Sequence, residues 1–177
     1  MPVQQKFEIR ESTSGDSAAV ESIYPGAFPD ENLVPLIRDL MRDSDVATSL
    51  IAVKGSQIIA HAMFTMCSLD RSSAKIALLG PLAVAAAWQR KGVGSEIVRA
   101  GIQRLVNAGV SVVCVLGDPA YYGRFGFERE ALITPPYRLP DEWREAWQSC
   151  HLHDVPQVCA GKLAVPRQWD EPALWAP

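Results

Sequence analysis

Between Gln89 and Ser95 the chain reads Gln-Arg-Lys-Gly-Val-Gly-Ser. Two cations, Arg90 and Lys91, precede two glycines, Gly92 and Gly94, and the glycines open a strongly periodic segment. Apolar residues recur at Val93, Ile97 and Leu105 and at Val98, Ile102 and Val106, while Glu96, Arg99, Gln103, Arg104 and Asn107 take the other side. That pattern predicts a helix from about Gly92 to Ala108 with one buried face. A helix start presents N–H groups without intrahelical acceptors, together with the positive end of the helix dipole. With no side chain at Gly92 or Gly94, a bulky anion can approach this backbone closely, so phosphate binding is the chemistry on offer. A tight strand-to-helix turn uses glycine in the same way, and the glycines alone do not separate the two readings. Two familiar phosphate loops fail here. No lysine follows Gly94, as a P-loop requires, and the third glycine of a dinucleotide fingerprint is missing.

Just upstream, Gly80-Pro81 interrupts the apolar run "IALLGPLAV". Proline removes a ladder donor and marks a bulge or an edge. A bulge would splay "PLAV" from the later strand "VVCVLGD" and free backbone groups beside the glycine turn. An extended ligand bearing amides can pair with such groups as an added strand. An anion at one end and a peptide-like arm at the other describe coenzyme A.

The elements that must position these residues follow from periodicity. "KFEIRES" reads as a first strand. "SGDSAAVESIYPGAF" reads as a helix capped by Ser14 or Asp16 and ended by Pro25-Gly26, and "NLVPLIRDLMRDS" as a second helix. "TSLIAVKGS" and "QIIAHAMFTMCSL" read as a hairpin through Lys54-Gly55-Ser56. "KIALLGPLAV" is the next strand, followed by the glycine-led helix that Gly109 ends. "VSVVCVLGD" is a central strand, and Asp118-Pro119 caps a short helix, "AYYGRF". "GFEREAL" is a strand, "DEWREAWQSC" a helix with Trp143 and Trp147 at i, i+4, and "QVCAGKLAV" a last strand. The order predicts a mixed α/β fold built on one sheet with helices on both faces.

The segments "LGPLAV", "QRKGVG" and "GDPAYYGRFGF" together resemble the GNAT superfamily of acyl-CoA N-acyltransferases, in a form closest to its bacterial YhbS-like branch. The pyrophosphate motif of that superfamily, [QR]-x-x-G-x-[GA], is matched by Gln89, Gly92 and Gly94. The resemblance covers about Phe7 to Val165. It implies a single, mostly antiparallel sheet with a splayed central strand pair, and acetyl-CoA as cosubstrate without a metal. It assigns cosubstrate binding to Leu82, Ala83 and Val84 through their backbone, and to Gln89, Arg90, Lys91, Gly92, Val93, Gly94 and Ser95 at the turn. The family's later tyrosine corresponds to Tyr122, ahead of Gly126-Phe127. Two departures stand out: "AAAW" at 85–88 replaces a stretch where the branch often has proline, and an Asn often found before the tyrosine is absent.

The reaction implied is direct attack of a small-molecule or protein amine on the thioester within a ternary complex. Tyr122 is the candidate acid for the leaving thiolate, and a backbone N–H near Val84 the oxyanion donor. The competing role for Tyr122 is packing beside Tyr121, Phe125 and Phe127. No base is evident. Asp30, Glu31 and His61 are candidates beside water, although the carboxylates read first as helix caps and a lone strand histidine as structural. Asp118 reads as a cap. "CHLHD", Cys150 to Asp154, holds metal-ligand types but lacks a second cluster, so a solvated loop is expected.

At 177 residues, with 48% hydrophobic and 21% charged residues, the chain fits one domain, 1–177, with a core of about 7–165 and a tail from 166 to 177. A net charge of −3 gives no general reason to bind nucleic acid or anionic membrane. No apolar run is long enough to span a bilayer, and the N-terminus lacks a signal core. Cys67, Cys114, Cys150 and Cys159 form no CxxC pair, which points to a cytoplasmic location. A homodimer is left open. The competing function class is a non-catalytic acyl-CoA sensor using the same cleft; a nucleotide-binding oxidoreductase is disfavoured by the missing glycine.

Overall fold

The computed structural model describes residues 6–153 and 159–176. Its contacts group into two compact units, one of residues up to Met63 together with Pro81–Gly101, the other of Phe64–Gly80 and Ile102 onward.

The first unit begins with β1 (Glu8–Glu11), then α1 (Ser17–Ala27), α2 (Val34–Met41) and β2 (Ala47–Lys54). β3 (Gln57–Leu69) and β4 (Ile76–Val84) each run from one unit into the other. Here the strands follow the order β1-β2-β3-β4. β1 lies antiparallel to β2 in the register Glu8↔Val53 to Glu11↔Leu50. The β2–β3 hairpin turns through Gly55 at φ +61°, as the Lys54-Gly55-Ser56 signal predicts. Leu36, Ile37 and Leu40 of α2 and Val20 and Tyr24 of α1 are buried, so both helices present the expected apolar stripes to the core. Two details differ from expectation. Pro25 and Gly26 lie within the last turn of α1 rather than ending it, and Phe28 N–H closes that turn on Tyr24 O at 2.8 Å. Asp16 does take the N-cap position of α1, but its carboxylate caps no α1 N–H and pairs instead with Thr13 upstream in a capping box.

The second unit holds the order β3-β4-β5-β8-β6, with β5 at Val112–Leu116, β6 at Glu128–Arg129, β7 at Ile133–Thr134, β8 at Trp147–His151 and β9 at Gly161–Ala164. β4 and β5 are parallel, β5 and β8 antiparallel, and β9 lies antiparallel to the end of β3. Val112, Val113, Cys114 and Val115 are fully buried, as a strand covered on both faces requires. α3 (Val93–Asn107) spans both units and buries Val93, Ile97, Val98 and Leu105. α4 (Pro119–Tyr122) follows β5.

The segment expected as one helix around Trp143 and Trp147 is instead a 3-10 stretch, Asp141–Ala146, followed by β8. Strand pairing with β5 and β6 overrides the i, i+4 pattern, and Trp147 packs on Trp175 at 5.9 Å between ring centroids. Within residues 166–176, expected as part of a tail, two indoles are packed. Trp169 and Trp175 are buried, Trp169 Nε1 donates to Thr65 Oγ1 at 3.1 Å, and Trp175 Nε1 donates to Trp169 O at 3.0 Å. Each indole N–H finds a partner, which lets a large apolar ring be buried without stranding a donor.

Candidate functional site

The β4–β5 ladder has its last rung at Leu79↔Val115. β4 then continues through Gly80, at φ +139°, and Pro81 to Val84. The left-handed φ at Gly80 and the missing N–H of Pro81 coincide with the end of the ladder, which is the break the sequence predicts. Ala83 is buried, while Leu82 and Val84 are partly exposed. Ala85 N–H donates to Ile59 O at 2.9 Å, so the far end of β4 stays tied to β3.

After a 3-10 turn at Ala86–Trp88, Gln89 reaches back and its Nε2 donates to Val84 O at 3.1 Å. Gln89 therefore braces the glycine turn against the strand end. That bond is invisible in the motif, which specifies the residue but not its partner. Arg90 at φ +60° and Gly92 at φ +83° are both left-handed and reverse the chain into α3. Arginine in that region costs roughly 1–2 kcal/mol, whereas glycine carries no such cost. The bond from Glu96 N–H to Gly92 O at 3.1 Å opens the helix. By helix geometry the N–H groups of Val93 and Gly94 then precede the first intrahelical bond. Val93 and Gly94 are buried and Ser95 half-buried, while Arg90, Lys91 and Gly92 are exposed. The turn thus presents backbone donors and two cations on a rigid base. That arrangement suits a diphosphate.

In the second unit Asp118 caps α4, its Oδ1 accepting from Ala120 N–H at 2.9 Å, with Pro119 at the first helical position. The cap aims Tyr122 back over Gly117. A Cβ on Gly117 would meet the Tyr122 ring edge, with Cδ2 only 2.9 Å away. Gly117 is itself held, its N–H donating to Ala146 O at 2.9 Å and its carbonyl accepting from Gln148 Nε2 at 3.0 Å. Tyr121 at 5.0 Å and Phe127 at 5.7 Å pack edge-on against the Tyr122 ring. Burial pushes the Tyr122 phenol above its ordinary pKa, so it keeps its proton through the neutral range. The bond from Gln148 to Gly117 escapes the sequence reading, because only the folded β5–β8 pair brings the two together.

The other candidates separate cleanly. His61 is fully buried, with Nδ1 2.6 Å from the Tyr24 hydroxyl and Nε2 2.8 Å from Ser49 Oγ. Burial holds its pKa down to about 3, so it is a neutral, doubly bonded core histidine. Asp30 and Glu31 are exposed, and α2 begins from Leu33 without a side-chain cap. Among the described residues no group of three His, Cys, Asp or Glu side chains is placed to hold a metal ion; Asp154 lies outside them.

The model of the acetyltransferase (GNAT) family matches residues 17–127. The chain belongs to that family. The match takes in β4, the glycine turn, α3 and Tyr122. Among curated proteins, this acetyltransferase is 29% identical to the uncharacterized N-acetyltransferase YjhQ of Escherichia coli K12, over 89% of this chain and 91% of that one. It is 28% identical to E. coli K12 YhbS, another uncharacterized N-acetyltransferase, over 70% of this chain and 74% of that one. Among solved structures it resembles E. coli YhbS in complex with CoA, with a TM-score of 0.84, 25% identity and coverage of 94% and 93%. An acetyltransferase from Brucella melitensis in complex with acetyl-CoA aligns with a TM-score of 0.75, 25% identity and coverage of 94% and 99%. The fold is therefore the mixed, mostly antiparallel α/β sheet of this family. Among the described residues, no helix is long and apolar enough to cross a membrane.

Proposed function

We propose that this acetyltransferase moves the acetyl group of acetyl-CoA to an amine of a small molecule or protein by direct attack in a ternary complex. The observation that carries the reading is the exposed turn from Gln89 to Gly92, braced on Val84 O and opening α3 behind a strand end released from its β5 ladder. In this reading the N–H groups of the first α3 turn, with Arg90 and Lys91, hold the diphosphate, and the backbone of Leu82–Val84 pairs with the pantetheine amides. Val93 and Ser95 complete the turn around Gly94. Both units belong to one transferase domain, since β3, β4 and α3 run from one into the other.

The neutral amine forms the new C–N bond and the thioester C–S bond breaks. A backbone N–H near Val84 stabilises the tetrahedral oxyanion, and Tyr122 gives its proton to the departing sulfur. His61 has no part in this, because both of its ring nitrogens are spent in the core. The amine proton leaves to water or to an exposed carboxylate of Asp30 or Glu31. A cytoplasmic location belongs to the same proposal and is supported by four cysteines that all remain free thiols.

Release of free thiol from acetyl-CoA, followed across a panel of primary amines and a lysine peptide, tests the reading. Amine-dependent release is expected. Tight CoA binding with no release above the spontaneous rate for any amine would leave a sensor instead.

A further inference from the structure

Three cations cluster beside the glycine turn, and one of them comes from the β2–β3 hairpin rather than from the turn. Lys54, at the end of β2, places its Nζ 4.6 Å from the centroid of the Trp88 ring. Lys91 places its own Nζ 5.2 Å from the same ring. Arg90, between Trp88 and Lys91 in the turn, is exposed at φ +60°. Among the described residues, no ion pair joins Lys54, Arg90 or Lys91 to a carboxylate. This concentration of charge occurs in a chain whose net charge is −3.

The indole explains how the charges stay together. An aromatic face attracts an ammonium, and a shared ring keeps two ammonium groups within ~10 Å of each other although they repel. The ring also restrains two side chains that would otherwise lose much rotamer entropy on meeting a ligand. Trp88 stands one residue before Gln89, and Lys91 one residue before Gly92, so this cluster borders the turn that receives the diphosphate in the proposed reading.

We infer that Lys54, Trp88 and Lys91 form a subsite for a phosphate monoester dianion, the 3′-phosphate on the ribose of coenzyme A. The inference rests on the proposed cosubstrate. The helix start and Arg90 suffice for the diphosphate, so Lys91, at the edge of that site, is shared with the monoester, the remaining anionic group of that molecule. A dianion lying between the two lysines neutralises both and removes their mutual repulsion. Lys54 and Trp88 are then specificity residues, selecting coenzyme A over its analogue lacking the 3′-phosphate.

Calorimetric titration with coenzyme A and with dephospho-coenzyme A tests this on the wild type, Lys54→Ala and Trp88→Ala. The wild type is expected to prefer coenzyme A by about tenfold or more, the scale of hydrogen bonds to a charged group. Both variants should reduce that preference to less than about threefold, chiefly by weakening coenzyme A, and raised salt should erode the wild-type preference. Equal wild-type affinity for the two ligands would overturn the subsite while leaving the acetyltransferase reading intact. So would variants that weaken both ligands by the same factor. Failure of both ligands to bind the wild type would instead remove the cosubstrate reading itself. Lys54→Gln, which keeps the length of the stem at the hairpin end, serves as a second variant should Lys54→Ala fail to fold.

Discussion

The ring of Tyr122 lies against the backbone of Gly117, leaving no room for a Cβ there. Gly117 is itself held at both backbone groups, by Ala146 O and Gln148 Nε2, so moving its backbone away from the ring would strain those bonds. A Gly117→Ala substitution must therefore move the ring, at the roughly 1–3 kcal/mol usual for overpacking. Turnover is expected to fall about tenfold or more, the loss of a positioned acid, with coenzyme A affinity retained. Double-mutant kinetics check the cause. If Gly117→Ala acts through the phenol, it should cost little further activity in a Tyr122→Phe background. Equal losses in both backgrounds would point to a general packing defect.

Tyr122→Phe keeps the ring contacts with Tyr121 and Phe127 and deletes only the hydroxyl. A thiol leaving group titrates near 8.5, so a donated proton helps but is not indispensable at neutral pH. Turnover should drop by about 10–100-fold, the lower end for general acid catalysis, with acetyl-CoA binding nearly unchanged. Because burial raises the pKa of this phenol, the wild-type acid should stay protonated beyond the pH at which an exposed tyrosine begins to ionise. Steady-state kinetics from pH 6.5 to 9.5 decide this. Equal turnover at every pH would remove Tyr122 from the chemistry.

Much of this arrangement is legible before folding, for physical reasons that differ by element. The α3 periodicity, the Gly80-Pro81 break and the Asp118-Pro119 cap are local, and each appears where its residues demand. What fails to show is long-range. Trp143 and Trp147 keep helical spacing, yet Trp147–His151 becomes a strand because β5 and β6 both offer it ladder partners. Trp169 and Trp175 sit in a proline-containing terminus with no period to read, and their burial depends on Thr65 and Trp147, far away in the chain. The same holds at the site. Gly92 and Tyr122 are readable as types in a pattern, but the brace from Gln89 to Val84 O and the seat of Tyr122 on Gly117 are contacts that spacing cannot express.

Gly94 lies in the first turn of α3, two residues past the left-handed Gly92. In the proposed reading, a branched side chain there crowds the backbone donors that hold the diphosphate. Gly94→Val is expected to cost at least ~2 kcal/mol of coenzyme A affinity, about thirtyfold, which is the scale of a lost charged hydrogen bond. Calorimetry on the folded variant measures it. Unchanged affinity would move the diphosphate away from this turn.

His61 yields a prediction about stability rather than catalysis. Its folded pKa, held down to about 3 by burial, lies well below the roughly 6.5 expected of an unfolded histidine. Between those values the unfolded chain binds a proton that the folded one refuses, so stability falls as pH drops through the window. The contribution is fully present above pH ~6.5. By pH ~4.5 about 2–3 kcal/mol should be gone, at 1.36 kcal/mol for each unit of difference. Carboxylates held down by arginines, Asp16 by Arg10 and Glu21 by Arg38, act in the same direction but at lower pH, so the range above ~4.5 isolates the histidine. Urea unfolding at several pH values, on the wild type and on His61→Gln, separates the terms. The variant should be less stable at pH 7, because Tyr24 and Ser49 lose partners placed at 2.6 and 2.8 Å, yet its stability should be nearly flat down to pH ~4.5. A wild type equally flat over that range would mean that the fold accepts the proton on His61, and the buried Tyr24–His61–Ser49 chain would then have to be redrawn around an imidazolium.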